Sequence, residues 1–111
     1  ATIDGDGDLM VKDMVNCWVY PSESKDYVTL VSRFGFKESA SALERLQCVN
    51  SMNYHFFLIR AMVVQEHNVL RFDYDVYVGS GVSKKHFIQM VKKFCAVPHN
   101  AVTKFGFDLV N

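Results

Sequence analysis

Residues 43–94 read LERLQCVNSMNYHFFLIRAMVVQEHNVLRFDYDVYVGSGVSKKHFIQMVKKF. Leu43, Leu46, Val49 and Met52 recur at helical spacing with Cys48 beside them, and Val49-Asn50-Ser51-Met52-Asn53 closes that helix. Ser41-Ala42-Leu43-Glu44 fits a capping box at its start, and a start at Ser39 fits equally. The period then changes. Tyr54 to Val64 is apolar on both alternating faces, the pattern of a central strand covered on both sides. Gln65-Glu66-His67-Asn68 forms a four-residue hairpin loop. Val69 to Val78 alternates cleanly: Leu70, Phe72, Tyr74, Val76 and Val78 share one face, and Arg71, Asp73, Asp75 and Tyr77 the other. After the Gly79-Ser80-Gly81 turn, Ser83 can cap a second helix. Phe87, Ile88, Val91, Phe94 and Cys95 make one apolar stripe on it, with Lys84, Lys85, Lys92 and Lys93 mostly off the stripe. Pro98 predicts an end or kink near Val97, and Ala101, Val102 and Phe105 suggest a further helical turn or two.

The N-terminal half supplies strands. Asp4-Gly5-Asp6-Gly7-Asp8 is turn chemistry, because Gly takes positive φ freely and Asp bonds its own backbone. Leu9 to Tyr20 reads as strand, with Lys12-Asp13 as a point where it divides or runs through. The polar loop Pro21–Asp26 joins two antiparallel strands. In Tyr27–Phe36, Val28, Leu30, Phe34 and Phe36 face one way, and Thr29, Arg33 and Gly35 the other. The order β-β-(β)-α-β-β-α means an α+β fold with a largely antiparallel sheet and helices on one face or shared between faces.

The bulk numbers agree. A chain of 111 residues, half of them apolar, makes one globular domain, residues 1–111. Twelve Lys and Arg balance twelve Asp and Glu, which gives no electrostatic case for nucleic acid or an anionic membrane surface. No apolar run reaches transmembrane length. Cys17, Cys48 and Cys95 are odd in number and form no C-x-x-C, so reduced core thiols in a cytoplasmic protein are expected.

The chain resembles the YbjN family of bacterial sensory-transduction regulators. Asp6-Gly7-Asp8-Leu9 opens the first strand, and a helix closes with Asn50 and Asn53 just before an aromatic-rich strand. A hairpin follows, then a glycine pair and Val82-Ser83 before the last helix. The resemblance covers about residues 8–97 and implies a fold similar to type III secretion chaperones, commonly dimeric and protein-binding. It also implies a leading helix, which has no counterpart in the eight residues before Leu9. Further departures are the serine between Gly79 and Gly81, and Pro98 in a helix that usually continues.

No catalytic constellation emerges. Asp4, Asp6 and Asp8 fail as a calcium loop, since the sixth and twelfth positions counted from Asp4 are Leu9 and Val15 rather than Gly and Glu. His55, His67, His86 and His99 show no metal-ligand spacing, and the cysteines sit in apolar settings. Asp73 and Asp75 lie on one strand face about 7 Å apart, and Arg71 beside them points to a solvated, ion-paired surface rather than acid–base chemistry. Asn50 and Asn53 read as structural, capping a helix end, and Gly79 and Gly81 as a tight turn rather than a phosphate cradle. Trp18, Tyr20, Tyr27 and Tyr77, on strand faces away from the core, are the candidate protein-contact residues. The expectation is a non-enzymatic regulatory or chaperone-like module with no cofactor, a protein partner and self-association as a homodimer. The alternative is a small-ligand sensor with a pocket between sheet and helices.

Overall fold

The computed structural model describes residues 2–3 and 9–111, so the aspartates of the opening turn, Asp4, Asp6 and Asp8, lie outside the described residues. Among the described residues six strands and two α-helices follow in the order β1 (Thr2–Ile3), β2 (Leu9–Lys12), β3 (Asn16–Pro21), β4 (Tyr27–Gly35), α1 (Ala42–His55), β5 (Arg60–Val64), β6 (Val69–Tyr77) and α2 (Lys84–Ala101). The fold is α+β. Lys12-Asp13 does divide the first strand run: β2 stops at Lys12, and Asp13 N–H donates to the Val15 carbonyl at 3.1 Å before β3 begins.

All ladders are antiparallel, in the spatial order β1-β2-β3-β4-β6-β5. The last strand in sequence thus inserts between β4 and β5. Because pairing partners share a face, the register sets Cys17, Val19, Leu30, Ser32, Leu70, Phe72, Val76 and Ala61 on one side. Both helices pack there, α1 through Cys48, Val49 and Met52, α2 through Val91, Phe94 and Cys95. The capping box at Ser41 is present: Glu44 N–H donates to Ser41 Oγ at 3.1 Å, and Ser41 N–H to Glu44 Oε1 at 2.8 Å. These bonds hold the Glu44 carboxyl below its ordinary value. A depressed folded value places that support above the unfolded pKa, and it is lost as pH falls through the folded one.

Four expectations are corrected. The strand read from Tyr54 is neither that long nor central. Helix α1 continues through Tyr54 and His55, and β5 begins only at Arg60, at the edge of the sheet. The helix end is fixed by Phe56, whose N–H donates to the Met52 carbonyl at 3.0 Å. The two-sided apolarity belongs to a crossing from helix to strand, with Phe56 and Ile59 against the core and Tyr54 and Phe57 in solvent. The buried face of α1 is also rotated, since Leu43 and Leu46 are exposed.

In α2 the buried stripe is Val91, Phe94, Cys95, Pro98 and Ala101, while Ile88 is exposed and Phe87 half-buried. The helix does not end at Val97. Pro98 is fully buried on the packed face, and the helix continues past it to Ala101 despite the lost donor. A π-helical turn, Val102–Gly106, follows. Gly106 permits close packing there, because a Cβ would stand 3.2 Å from Val110 and 3.4 Å from Met52. The fourth correction concerns Asp73. It is ion-paired as expected, yet it is buried rather than solvated, at 2% exposure. Its strand has neighbours on both sides, a placement that sequence alternation does not reveal.

Candidate functional site

The register that builds the core face also composes the opposite one, over which neither helix lies. One row runs Met10–Trp18–Val31–Asp73–Arg60 from β2 to β5. Beside it run Tyr20–Thr29–Asp75 and Arg33–Arg71–Met62, and Tyr27 pairs with Tyr77 at one end. All four sequence-predicted aromatics therefore share this face, as two pairs. The Arg33 guanidinium lies 5.3 Å from the Trp18 ring centre and 5.6 Å from that of Tyr20, a cation–π arrangement. Its Nη1 also donates to the Tyr20 hydroxyl at 3.2 Å. Tyr27 and Tyr77 meet edge to face at 5.3 Å and are about half exposed.

Sequence reading missed the middle of this face. Val31 and Asp73 are buried there without a helix above them, and the long side chains of Trp18, Arg33, Arg60 and Arg71 stand around them in the register. Arg60 Nε donates to Asp73 Oδ1 at 2.8 Å, and Arg71 Nε to Asp73 Oδ2 at 3.2 Å. The Asp73 carboxylate holds the Arg60 guanidinium above its ordinary value. Asp75 accepts from Thr29 Oγ1 at 2.6 Å and stands 3.9 Å from Arg60 Nη2. Asp73 is thus held between two guanidinium groups, while Arg60 and Asp75 remain open to solvent. Arg33 and Arg71 could be placed on outward positions from alternation, but their convergence with Arg60 needs the long-range register.

The remaining candidates are dispersed. Asn50 is exposed inside α1, five residues before its end, so it does not cap it. Asn53 reaches across to β5 instead of capping its own helix. Its Nδ2 donates to the Ala61 carbonyl at 3.0 Å, and Ala61 N–H donates to its Oδ1 at 2.8 Å. Asn53→Ala should remove both bonds and leave polar backbone poorly satisfied, lowering stability by about 1–3 kcal/mol in a denaturant melt. Gly81 has φ 90° and donates to the Val78 carbonyl at 2.9 Å, closing the turn before α2. Gly79 leaves room for Tyr77, whose hydroxyl oxygen would be 2.6 Å from a Cβ there.

His55 bonds the Ser51 carbonyl at 2.9 Å and stacks near Phe105, and His67, His86 and His99 are exposed. Among the described residues no cluster of His, Cys, Asp or Glu could hold a metal ion. Cys17, Cys48 and Cys95 are free and buried. A hydrogen bond to Cys95 lowers the Cys17 pKa and raises that of Cys95, and burial raises that of Cys48. Alkylation under denaturing, non-reducing conditions should add three labels per chain by mass. Two labels fewer would show a disulfide. Surface clefts of about 540 Å³, beside Asn16, Arg33 and His99, and about 250 Å³, between Val11 and Phe87, are open to solvent. No described helix is long and apolar enough to cross a membrane.

Residues 1–105 match the family model YbjN, described as "Putative bacterial sensory transduction regulator". No curated protein matches the chain. Among solved structures, YbjN from E. coli, described as "a putative transcription regulator", is similar with a TM-score of 0.76 at 14% identity, over 94% of this chain and 80% of that one. An uncharacterized protein from Methanothermobacter thermautotrophicus is similar with a TM-score of 0.55 at 12% identity, over 88% of this chain and 85% of that one. At such identities the likeness carries the fold.

Proposed function

The chain belongs to the YbjN family, and from that premise we propose that it is a non-enzymatic bacterial regulator acting by binding another protein, in the manner of a chaperone. One observation carries this reading. The helix-free face of the sheet joins Trp18, Tyr20, Tyr27 and Tyr77 to three arginines around a buried centre. Tryptophan, tyrosine and arginine dominate binding energy at protein interfaces, because they combine large apolar area with directed polar groups. Here Arg33 is held against two rings, so less ordering is left for binding.

A second copy of the chain is the first partner we propose, as a two-fold dimer that covers the same patch on both molecules. Three free thiols support a reducing, cytoplasmic setting. The alternative, a small-ligand sensor, would place its ligand between sheet and helix, where among the described residues Val11, Phe87, Ile88 and Val91 line a cleft of about 250 Å³ that is open to solvent.

Light scattering across a concentration series tests the dimer. A mass that stays near 12.7 kDa at high micromolar concentration sinks it. Affinity capture from a native lysate, comparing the wild type with a Trp18→Ala/Tyr77→Ala variant, tests the face. Proteins lost with the variant support the reading. An identical captured set in both rules out this surface.

A further inference from the structure

The two strands at one edge of the sheet differ in extent. Strand β5 starts at Arg60, opposite Asp73, whereas β6 continues to Tyr77. Strand β4 accompanies β6 along its whole length on the other side. Tyr74–Tyr77 therefore has a strand neighbour on one side only.

The direction of the free groups follows from the ladder. Val78 N–H donates to the Asp26 carbonyl at 2.7 Å, next to the Tyr27–Tyr77 pair. Backbone groups alternate in direction along an antiparallel strand. Tyr74, Val76 and Val78 therefore direct theirs toward β4, and Asp75 and Tyr77 toward the open edge. The same alternation, carried across the Arg60–Asp73 pair, turns the Ala61 groups outward, and there Asn53 binds both of them. So the outer edge is closed by a side chain at Ala61 and left open at Asp75 and Tyr77. Among the described residues no other segment makes a backbone hydrogen bond to these two. The chain that would have covered them bends away at Leu58, which has φ 69°, a conformation uncommon for leucine.

The walls of this slot differ in chemistry. On the core side Leu58, Tyr74, Met90 and Phe94 line an apolar recess of about 90 Å³ with Lys93 at its rim. Leu58 and Tyr74 also line an adjoining cleft of about 260 Å³ that reaches Arg60 and Asp75. On the outer side stands the half-exposed carboxylate of Asp75, with Arg60 Nη2 no closer than 3.9 Å.

We propose that the Tyr74–Tyr77 edge of β6 is a strand-addition site for an extended segment of a partner protein, laid antiparallel to β6 on the line that β5 vacates. This rests on the protein-binding reading and names its mode. The unpaired groups of Asp75 and Tyr77 recognise an extended backbone. Alternation then places an aliphatic side chain in the recess and a basic one beside Asp75.

The test uses the full chain and a capped hexapeptide of alternating lysine and valine, followed by amide hydrogen exchange. In the free protein the Asp75 and Tyr77 amides should exchange faster than those of Tyr74 and Val76. Peptide at millimolar concentration should protect the fast pair. Lysine faces Asp75 in this register, so N-methylation of the lysine amides should weaken binding about tenfold or more, and N-methylation of the valine amides should not. Asp75→Pro removes one edge N–H and spares the β4 backbone ladder, and Asp75→Ala, which loses the same carboxylate and its Thr29 bond but keeps the N–H, is its control. Protection should be abolished in the proline variant and only weakened in the alanine one, at similar thermal midpoints. Slow exchange at Asp75 and Tyr77 in the free protein, no protection by peptide, or equal loss with both methylated peptides would overturn the proposal. A captured protein that protects the Trp18 face but not these two amides would overturn it while leaving protein binding intact.

Discussion

Phe94→Ala is expected to lower stability by about 3–5 kcal/mol in a denaturant melt. Phe94 is 1% exposed and lies at the middle of the face that α2 turns to the sheet, within the cluster formed by Leu30, Phe72 and Met52. Truncation there removes the transfer energy of the ring and leaves a cavity that a β-sheet floor cannot easily fill. The neighbouring positions set the scale. Phe87, half-buried, should lose clearly less than Phe94, and Ile88→Ala, at 45% exposure, should change stability little. A loss below about 1 kcal/mol at Phe94 would mean that α2 does not pack on the sheet as described.

The paired substitution Arg60→Ala/Arg71→Ala should be clearly destabilising in the same measurement, because it leaves the buried Asp73 carboxylate without either counter-charge. Replacing Asp73 by valine in that background should restore most of the loss, since the charge itself is then gone. Each arginine alone should do less than half the damage, because the other still donates to the second carboxylate oxygen. Denaturant melts of the wild type, the two single variants and the double variant form a cycle that isolates the coupling. Small and additive losses would show that water reaches Asp73 and that the centre of this face is looser than its 2% exposure implies.

The local parts of this fold were legible because local chemistry decides them. The Ser41–Glu44 capping box, the Gln65–Asn68 hairpin loop and the alternation in β4 and β6 each depend on residues close in sequence. What stayed hidden depends on distant partners. The insertion of β6 between β4 and β5 makes Asp73 a buried residue and β5 an edge strand, and no periodicity within either strand encodes that order. Helix faces were less legible than strand faces. Leu43 and Leu46 fit the α1 stripe as well as Cys48 does, and the positions of β5 and of the Val102–Gly106 turn decide which side is covered. Pro98 misled for a related reason: its backbone penalty is local, while the burial that offsets it is tertiary. At the candidate site, the outward placement of the aromatics followed from strand parity, whereas the meeting of Arg60 and Arg71 at one carboxylate did not.

The strand order also dictates how the protein must assemble. Strands β1 to β4 form a meander whose members pair with neighbours in sequence. The far side of β4 must wait for β6, because their ladder joins Gly35 to Val69 at one end and Tyr27 to Tyr77 at the other. During synthesis the ribosome therefore releases β4 with an unpaired border while α1 and β5 are still being made. Closing so long a loop before any ladder contact forms slows the reaction and exposes the growing chain to wrong pairing. Both helices also depend on this event, since the floor on which Met52 and Phe94 rest includes Leu30 from one strand and Phe72 from the other. The β4–β6 ladder is thus the contact through which the N-terminal meander, β5 and both helices share one core.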